Sequence, residues 1–372
     1  MRVDAIELRR VRMPLVSPFR TSFGTQTERD ILVLRAVTDG PDGWGECVAL
    51  TEPVYSSEYV AGVIDVLRMH LIPALRGVTD ARETADALAF VKGHRMAKGA
   101  LEMALLDAQL RAEDRSLAQE LGAVHTRVPC GVSVGIMDSV PQLVDAVAAF
   151  VDAGYVRVKL KIEPGWDIEP VRAVRARFPD IPLQVDANTA YRPADIPHLT
   201  RLDAEDLLLI EQPFDEEDLL GHVQLAAAMR TPVCLDETIT SAATAEQAIR
   251  LKATRILNIK AGRVGGYLEA RRIHDLCLGQ GVPVWCGGMV ETGLGRAANI
   301  ALAALPGFTL PGDVSASDRF YAVDLTEPFV MADGHLDVPT GPGLGVTPLP
   351  DVLDDLTTWS DTVPVQGIPA AG

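Results

Sequence analysis

The chain has 372 residues, 48% of them hydrophobic, so it can bury a large core and is sized for two domains or one elaborated barrel. Its 34 lysines and arginines against 51 acids give a net charge of −17. An acidic exterior repels phosphate backbones and anionic lipids, which argues against nucleic acid and membrane surfaces as partners.

Five cysteines, Cys47, Cys130, Cys234, Cys277 and Cys286, are scattered, odd in number and without C-x-x-C spacing. They suit neither a disulfide framework nor a structural zinc site, and a reduced, cytoplasmic setting fits them. The N-terminal MRVDAIELRR mixes charges with apolar residues and has no signal-type apolar stretch. No uncharged apolar run is long enough to span a bilayer.

In chain order, residues 2–13, 30–38 and 43–50 read as strands, the last two joined by the turn DGPDG, which predicts an antiparallel meander. Helical periodicity follows in SSEYVAGVIDVLRMHLIPAL and HRMAKGALEMALLDAQLRAED, completing an α+β domain. From about residue 128 the pattern alternates. The apolar strands PCGVSVGI, YVRVKLKI, IPLQVDAN, DLLLIEQP, TPVCLDET, RILNIKAG, VPVWCGG and FTLPGD are mostly separated by amphipathic stretches such as VPQLVDAVAAFVDAG and AATAEQAIRLKA. Eight parallel strands predict a TIM-type barrel, with an open doubly wound sheet as the alternative. After about residue 320 the alternation stops. The tail, rich in Pro and Gly, is expected to return to the N-terminal domain, because Phe320, Tyr321 and Phe329 need somewhere to be buried.

Ionisable residues stand at or near the ends of successive strands: Lys161, Asp186, Glu211, Asp236 and Lys260, spaced 25, 25, 25 and 24 residues apart. A constant step of one strand plus one helix returns each to the same rim, the C-terminal rim where barrels keep their active sites. Any one of these acids could be a helix cap or turn residue, but three in register make a stronger pattern. Asp186, Glu211 and Asp236 converging without compensation would raise each other's pKa, and a hard divalent cation resolves that conflict. Oxygen-only ligands select magnesium, with manganese or another divalent ion as alternatives, over zinc.

Lys159 and Lys161 are two apart on VRVKLKI and share a face, leaving Val158, Leu160 and Ile162 for the other. If the apolar face meets the helices, both lysines point into the barrel. Lys260 approaches from the sixth strand, almost opposite Lys161. A lysine base must come down from about 10.4 to about 7–8, and neighbouring positive charge would help. Lys159 supplies that charge for Lys161, and Arg263 is the candidate for Lys260. The chemistry that follows is removal of the proton α to a carboxylate, with the enediolate either reprotonated on its other face or losing a β-substituent.

The motifs VKLKI, QVDAN, LIEQP, CLDET and NIKAGRVGG resemble those of the enolase superfamily. The resemblance extends from SPFRTSFG through GHRMAKGALEMALLDAQL, KIEPGWD, PVWCGGMVETGLGRAANIALA and LPGDVSASDRFY to TGPGLGV. It is nearest to the branch containing o-succinylbenzoate synthase and N-acylamino-acid (N-succinylamino-acid) racemase. It implies an α/β fold in which a modified TIM-type (β/α)7β barrel, residues 127–319, carries an α+β capping domain, residues 1–126, completed by the segment 320–372. It also implies Asp186, Glu211 and Asp236 as magnesium ligands and Lys161 and Lys260 as the acid–base pair, Lys159 being the first lysine of the paired motif. Substrate contacts carried over are Phe19, Tyr55, Ser133, Gly288, Met289 and Phe320. A small carboxylate substrate and homo-oligomers are further implications, and dipeptide epimerisation and muconate-type cycloisomerisation are the alternative reactions.

A competing motif is Gly293, Gly295 and Ala298 in ETGLGRAANIA, a G-x-G-x-x-A match with Asp313 downstream. Its position at the seventh unit disfavours a nicotinamide dinucleotide site, although a helix start there could hold an anionic substrate group. His94, His125, His198, His222 and His274 are not at strand ends and read as structural or surface residues.

Overall fold

The computed structural model describes residues 1–365. The N-terminal meander forms β1 (Val3–Thr21), β2 (Gly24–Thr38) and β3 (Gly43–Cys47), paired antiparallel in that order. Alternate residues Ile6 and Leu8 of β1 face inward with their partners Ala36 and Leu34 of β2, all four fully buried. Against this face lies α1 (Arg95–Ala112), whose Leu101, Leu105 and Leu110 are also fully buried. Each such leucine contributes roughly 1.5–3 kcal/mol. The approach is close because β3 carries glycines. A Cβ at Gly43 or Gly45 would stand 2.1 Å from the Ala104 carbonyl oxygen or 2.2 Å from that of Ala100.

The barrel strands are β4 (Gly131–Val134), β5 (Arg157–Lys161), β6 (Leu183–Asp186), β7 (Ile210–Glu211), β8 (Val233–Leu235), β9 (Ile256–Ile259) and β10 (Val284–Cys286). They form one parallel sheet in strict chain order, so the doubly wound alternative, whose strand order reverses, is set aside. Helices cover its outer face, among them α2 (Val140–Asp152), α3 (Ile168–Arg177), α4 (Leu219–Ala228), α5 (Ala242–Arg250), α6 (Tyr267–Gln280) and α7 (Gly293–Ala303).

The eighth strand expected at FTLPGD is not a strand. Pro311 lacks the N–H a ladder needs, and the segment makes only single bridges, Phe308 to Val284 and Gly312 to Cys130. Those bridges still join the two edges of the sheet. Gly131 N–H donates to the Gly312 carbonyl at 2.8 Å, and Asp313 N–H donates to that of Cys286 at 2.8 Å. Leu209, Cys234, Ile256 and Trp285 cluster as an apolar floor. On it Arg157 and Lys159 stack over the Trp285 ring at 5.3 and 4.8 Å.

The tail holds a strand the sequence reading did not assign, β11 (Thr357–Pro364), paired antiparallel with β1 and placing Val363 opposite Ile6. The expected segment 320–372 runs past the last described residue, and 366–372 lie outside the described residues. All five cysteines are buried and free. No helix among the described residues is long and apolar enough to cross a membrane.

Candidate active site

The strand register sets the rim. Lys161 pairs with Asp186 across β5 and β6, and Asp186 pairs with Glu211 across β6 and β7. Asp236 and Lys260 directly follow β8 and β9. All five side chains are buried, as are Lys159 and Arg263. The period-two alternation puts Lys159 one level below Lys161, where it meets Asp186 at 3.2 Å, Glu211 at 3.1 Å and Asp313 at 2.5 Å.

The two outer lysines hold different acids. Lys161 Nζ donates to Asp186 Oδ2 at 2.6 Å and to Asn188 Oδ1 at 2.7 Å. Lys260 Nζ donates to Asp236 Oδ2 at 2.7 Å and to the Tyr55 hydroxyl at 3.1 Å, and lies over the Tyr55 ring. Arg263 meets Asp236 Oδ1 at 2.9 Å and donates to the carbonyls of Asn258 and Ile239. Its immediate partner is therefore the acid that Lys260 also holds. Room for Lys260 depends on Gly287, where a Cβ would stand 2.7 Å from Lys260 Cε.

The electrostatics follow from burial and crowding. Burial, then the charge on Asp186, pushes Glu211 up to about 8, with Asp236 adding to the rise. Burial also works against ionised Asp186, but Lys161 and Lys159 outweigh it and hold that carboxyl well below the usual range. Asp236 is likewise lowered: burial opposes, and Lys260 and Arg263 prevail. For Lys260 burial acts to lower the pKa, yet Asp236, Tyr55 and Glu211 hold it well above the ordinary lysine value. That direction is opposite to the one a base needs, and its cause is the carboxylate charge around it.

As arranged, no three His, Cys, Asp or Glu side chains among the described residues converge on one ion position. Lysine ammoniums occupy the carboxylate oxygens instead. The donor chemistry nevertheless fits a hard divalent cation. Three buried carboxylates come from adjacent strand ends, repel one another at Glu211, and have only oxygen to offer.

Beside them lies a cavity of about 40 Å³ bounded by Phe19, Ser133, Lys161, Gly288, Arg319 and Phe320, with Lys159 and Asp313 also on its wall. Phe19 and Phe320 meet edge to face at 5.9 Å. The capping hairpin is fastened over the mouth: Val16 N–H donates to the Phe320 carbonyl and Ser22 Oγ to that of Ala187. Ser133 Oγ is buried without a partner among the described residues. Tyr55 reaches the site through Asp236 and Lys260 rather than through this cavity, and Met289 is buried but not on its wall.

Sequence reasoning missed several members of the site. Asn188 and Asn258 lie two residues from Asp186 and Lys260, so strand alternation could have found them, whereas Glu237 directly follows Asp236 and alternation would have sent it to the other face. Asn188 Nδ2 donates to Glu237 Oε1, and Asn258 Nδ2 donates to Glu211 Oε1. Asp313 comes from a loop and Arg319 from the end of a single 3-10 turn, Ser317–Arg319, so neither carries a periodic signal.

The glycine motif does other work. Thr292 and Gly295 N–H donate to Glu46 of β3, and Gly293 N–H donates to Asp324. A Cβ at Gly293 would overlap Thr326. The α7 start is thus filled by the chain's own carboxylates. Burial, only partly offset by the Thr292 hydroxyl, raises Glu46 to about 7. Neither a dinucleotide nor an anionic substrate group has a place there. His222 and His274 are buried, their Nε2 atoms accepting from the N–H of Phe214 and Gly307.

Residues 5–122 match the mandelate racemase / muconate lactonizing enzyme N-terminal domain, and residues 142–352 match the enolase C-terminal domain-like family. The chain belongs to the enolase superfamily. Within that superfamily it is 66% identical to an N-succinylamino acid racemase from Amycolatopsis sp, over 96% of this chain and 98% of that one. It is 45% identical to an o-succinylbenzoate synthase from Geobacillus kaustophilus, over 92% of each. An enolase-superfamily structure from Listeria innocua superposes with a TM-score of 0.94 at 40% identity, covering 98% of this chain and 100% of that one.

Proposed function

We propose that this enolase-superfamily chain removes the proton α to the carboxylate of an N-acylamino acid and returns a proton on either face, racemising it. The same proton abstraction would serve dehydration to o-succinylbenzoate. The observation that carries this reading is the pair Lys161 and Lys260. They are buried ammoniums from the second and sixth barrel strands, each bonded to a different acid of the rim. Lys161 moves the proton on one face of the α-carbon and Lys260 on the other. Asn188 orients Lys161, and Tyr55 orients Lys260. Arg263 anchors Asp236, and Lys159 fixes the acids from below. A magnesium ion (manganese or another divalent ion in its place) held by Asp186, Glu211 and Asp236 would offset both the charge growing on the substrate and the acids' pull on the lysine protons. Phe19, Ser133, Gly288 and Phe320 bound the acyl side.

Dipeptide and muconate chemistry could use the same lysines, but the 66% relative favours an acylamino acid. The test is proton NMR of N-succinylphenylalanine in D₂O with the enzyme and magnesium, or with EDTA. Loss of the α-proton signal together with fading optical rotation is expected with magnesium alone. No exchange under either condition refutes the racemase reading and turns attention to dehydration.

A further inference from the structure

Arg319 is a cation on the cavity wall without an acid among the described residues to hold it. Its guanidinium lies over Phe320 at 4.5 Å, Phe150 at 4.7 Å and Phe19 at 5.8 Å. Nη2 donates to the Ser133 carbonyl at 2.7 Å, and Nε is buried with no partner among the described residues. Asp313, which acts on it through space, is already held by Lys159 at 2.5 Å and Arg157 at 2.8 Å. Burial dominates and brings Arg319 down to about 10, a value at which it still keeps its charge at neutral pH. A desolvated, unpaired guanidinium is costly unless something anionic meets it. Nη2 is its one hydrogen-bonded nitrogen among the described residues, so the fork keeps N–H donors of the kind that match a carboxylate.

Arg296 also borders the cavity, and its Nε too is buried with no partner among the described residues, but both of its terminal nitrogens are engaged. Its Nη1 donates to Ser315, and its Nη2 donates to the Glu291 carbonyl. Arg319 shares the wall with Ser133, whose buried hydroxyl has no partner among the described residues, and with Lys161. In the proposed reaction the substrate's first carboxylate belongs beside the acids of the rim. A second cation in the same cavity then calls for a second anion.

We propose that Arg319 is a specificity residue that receives a second carboxylate, at the free end of the substrate's acyl group, with Ser133 Oγ as an additional donor. The enzyme thereby selects dicarboxylates, of which a succinyl amide is one, over neutral acyl groups. This rests on the proton-abstraction reading above.

The experiment compares N-succinylphenylalanine with its terminal amide, N-succinamoylphenylalanine, in the wild type, Arg319→Met and Arg319→Lys, all with magnesium. The wild type is expected to prefer the acid about 100-fold in kcat/KM. Arg319→Met should lose about that factor on the acid and stay within about threefold on the amide. Arg319→Lys, with a point charge but no fork, should keep roughly a tenth of the preference. Equal losses on both substrates, or an undiminished preference, overturn the assignment. If Arg319→Met does not fold, a full wild-type preference in Arg319→Lys does the same. Wild-type inactivity on both substrates sinks the racemase reading instead. Titration calorimetry with N-succinylphenylalanine then still decides: weaker binding to the variant keeps the subsite, and equal affinity removes it.

Discussion

Lys159 holds the floor of the site together, and Lys159→Met removes its charge while nearly keeping its volume. The ammonium lies within 3.2 Å of Asp186, 3.1 Å of Glu211 and 2.5 Å of Asp313 and is buried. Breaking a buried ion pair from one side costs about 3–5 kcal/mol, because the abandoned charge stays desolvated. Arg157 still serves Asp313, and Lys161 still serves Asp186, so the low end, about 3 kcal/mol, is expected. For a chain of 372 residues the unfolding entropy is about 0.8 kcal/mol per kelvin, which converts that loss into a fall in Tm of about 4 °C. Scanning calorimetry with EDTA present measures it. A Tm within 1 °C of the wild type, a bound set at about a quarter of the expected shift, refutes the claim that the acids depend on this lysine.

Other perturbations probe separate parts of the account. Burial raises Glu102 from 4.5 to about 7, so between those values the folded chain binds more protons than the unfolded one and stability falls as pH rises. Glu102→Gln should therefore be more stable than the wild type at pH ~8, by roughly 3 kcal/mol, with the gain gone near pH ~4.5. Urea melts at both pH values check it, and a pH-independent difference contradicts it. Gly45→Ala drives a Cβ to within 2.2 Å of the Ala100 carbonyl oxygen and should cost about 2–3 kcal/mol, read by the same melts. Tyr55→Phe removes the hydroxyl between Lys260 and Asp236, so kcat should drop about tenfold with Tm nearly unchanged, and an unaltered kcat would exclude the hydroxyl from the machinery.

The repeating 25-residue step made the rim legible, because a barrel unit converts constant spacing into constant height. The alternation in VKLKI likewise told where Lys159 and Lys161 point. Other features depended on contacts that no local pattern announces. The last barrel segment looked like a strand by composition, and one proline kept it from pairing as one. Strand β11 was invisible because its edge position leaves alternate residues exposed and polar. The glycines at 293 and 295 matched a dinucleotide loop, whereas what requires them is the packing of Thr326 and Glu291, which leaves no room for a Cβ. Lys260 was expected to be lowered by nearby cations, and the greater number of acids around it holds it up.

The central claim is that Lys161 and Lys260 address opposite faces of one α-carbon. The most direct measurement is magnesium-supported deuterium exchange of the separate D and L enantiomers of N-succinylphenylalanine by Lys161→Ala and Lys260→Ala. Each variant should exchange one enantiomer without racemising it, and the two variants should choose opposite enantiomers. Exchange of the same enantiomer by both, or racemisation by either, would contradict the two-lysine account.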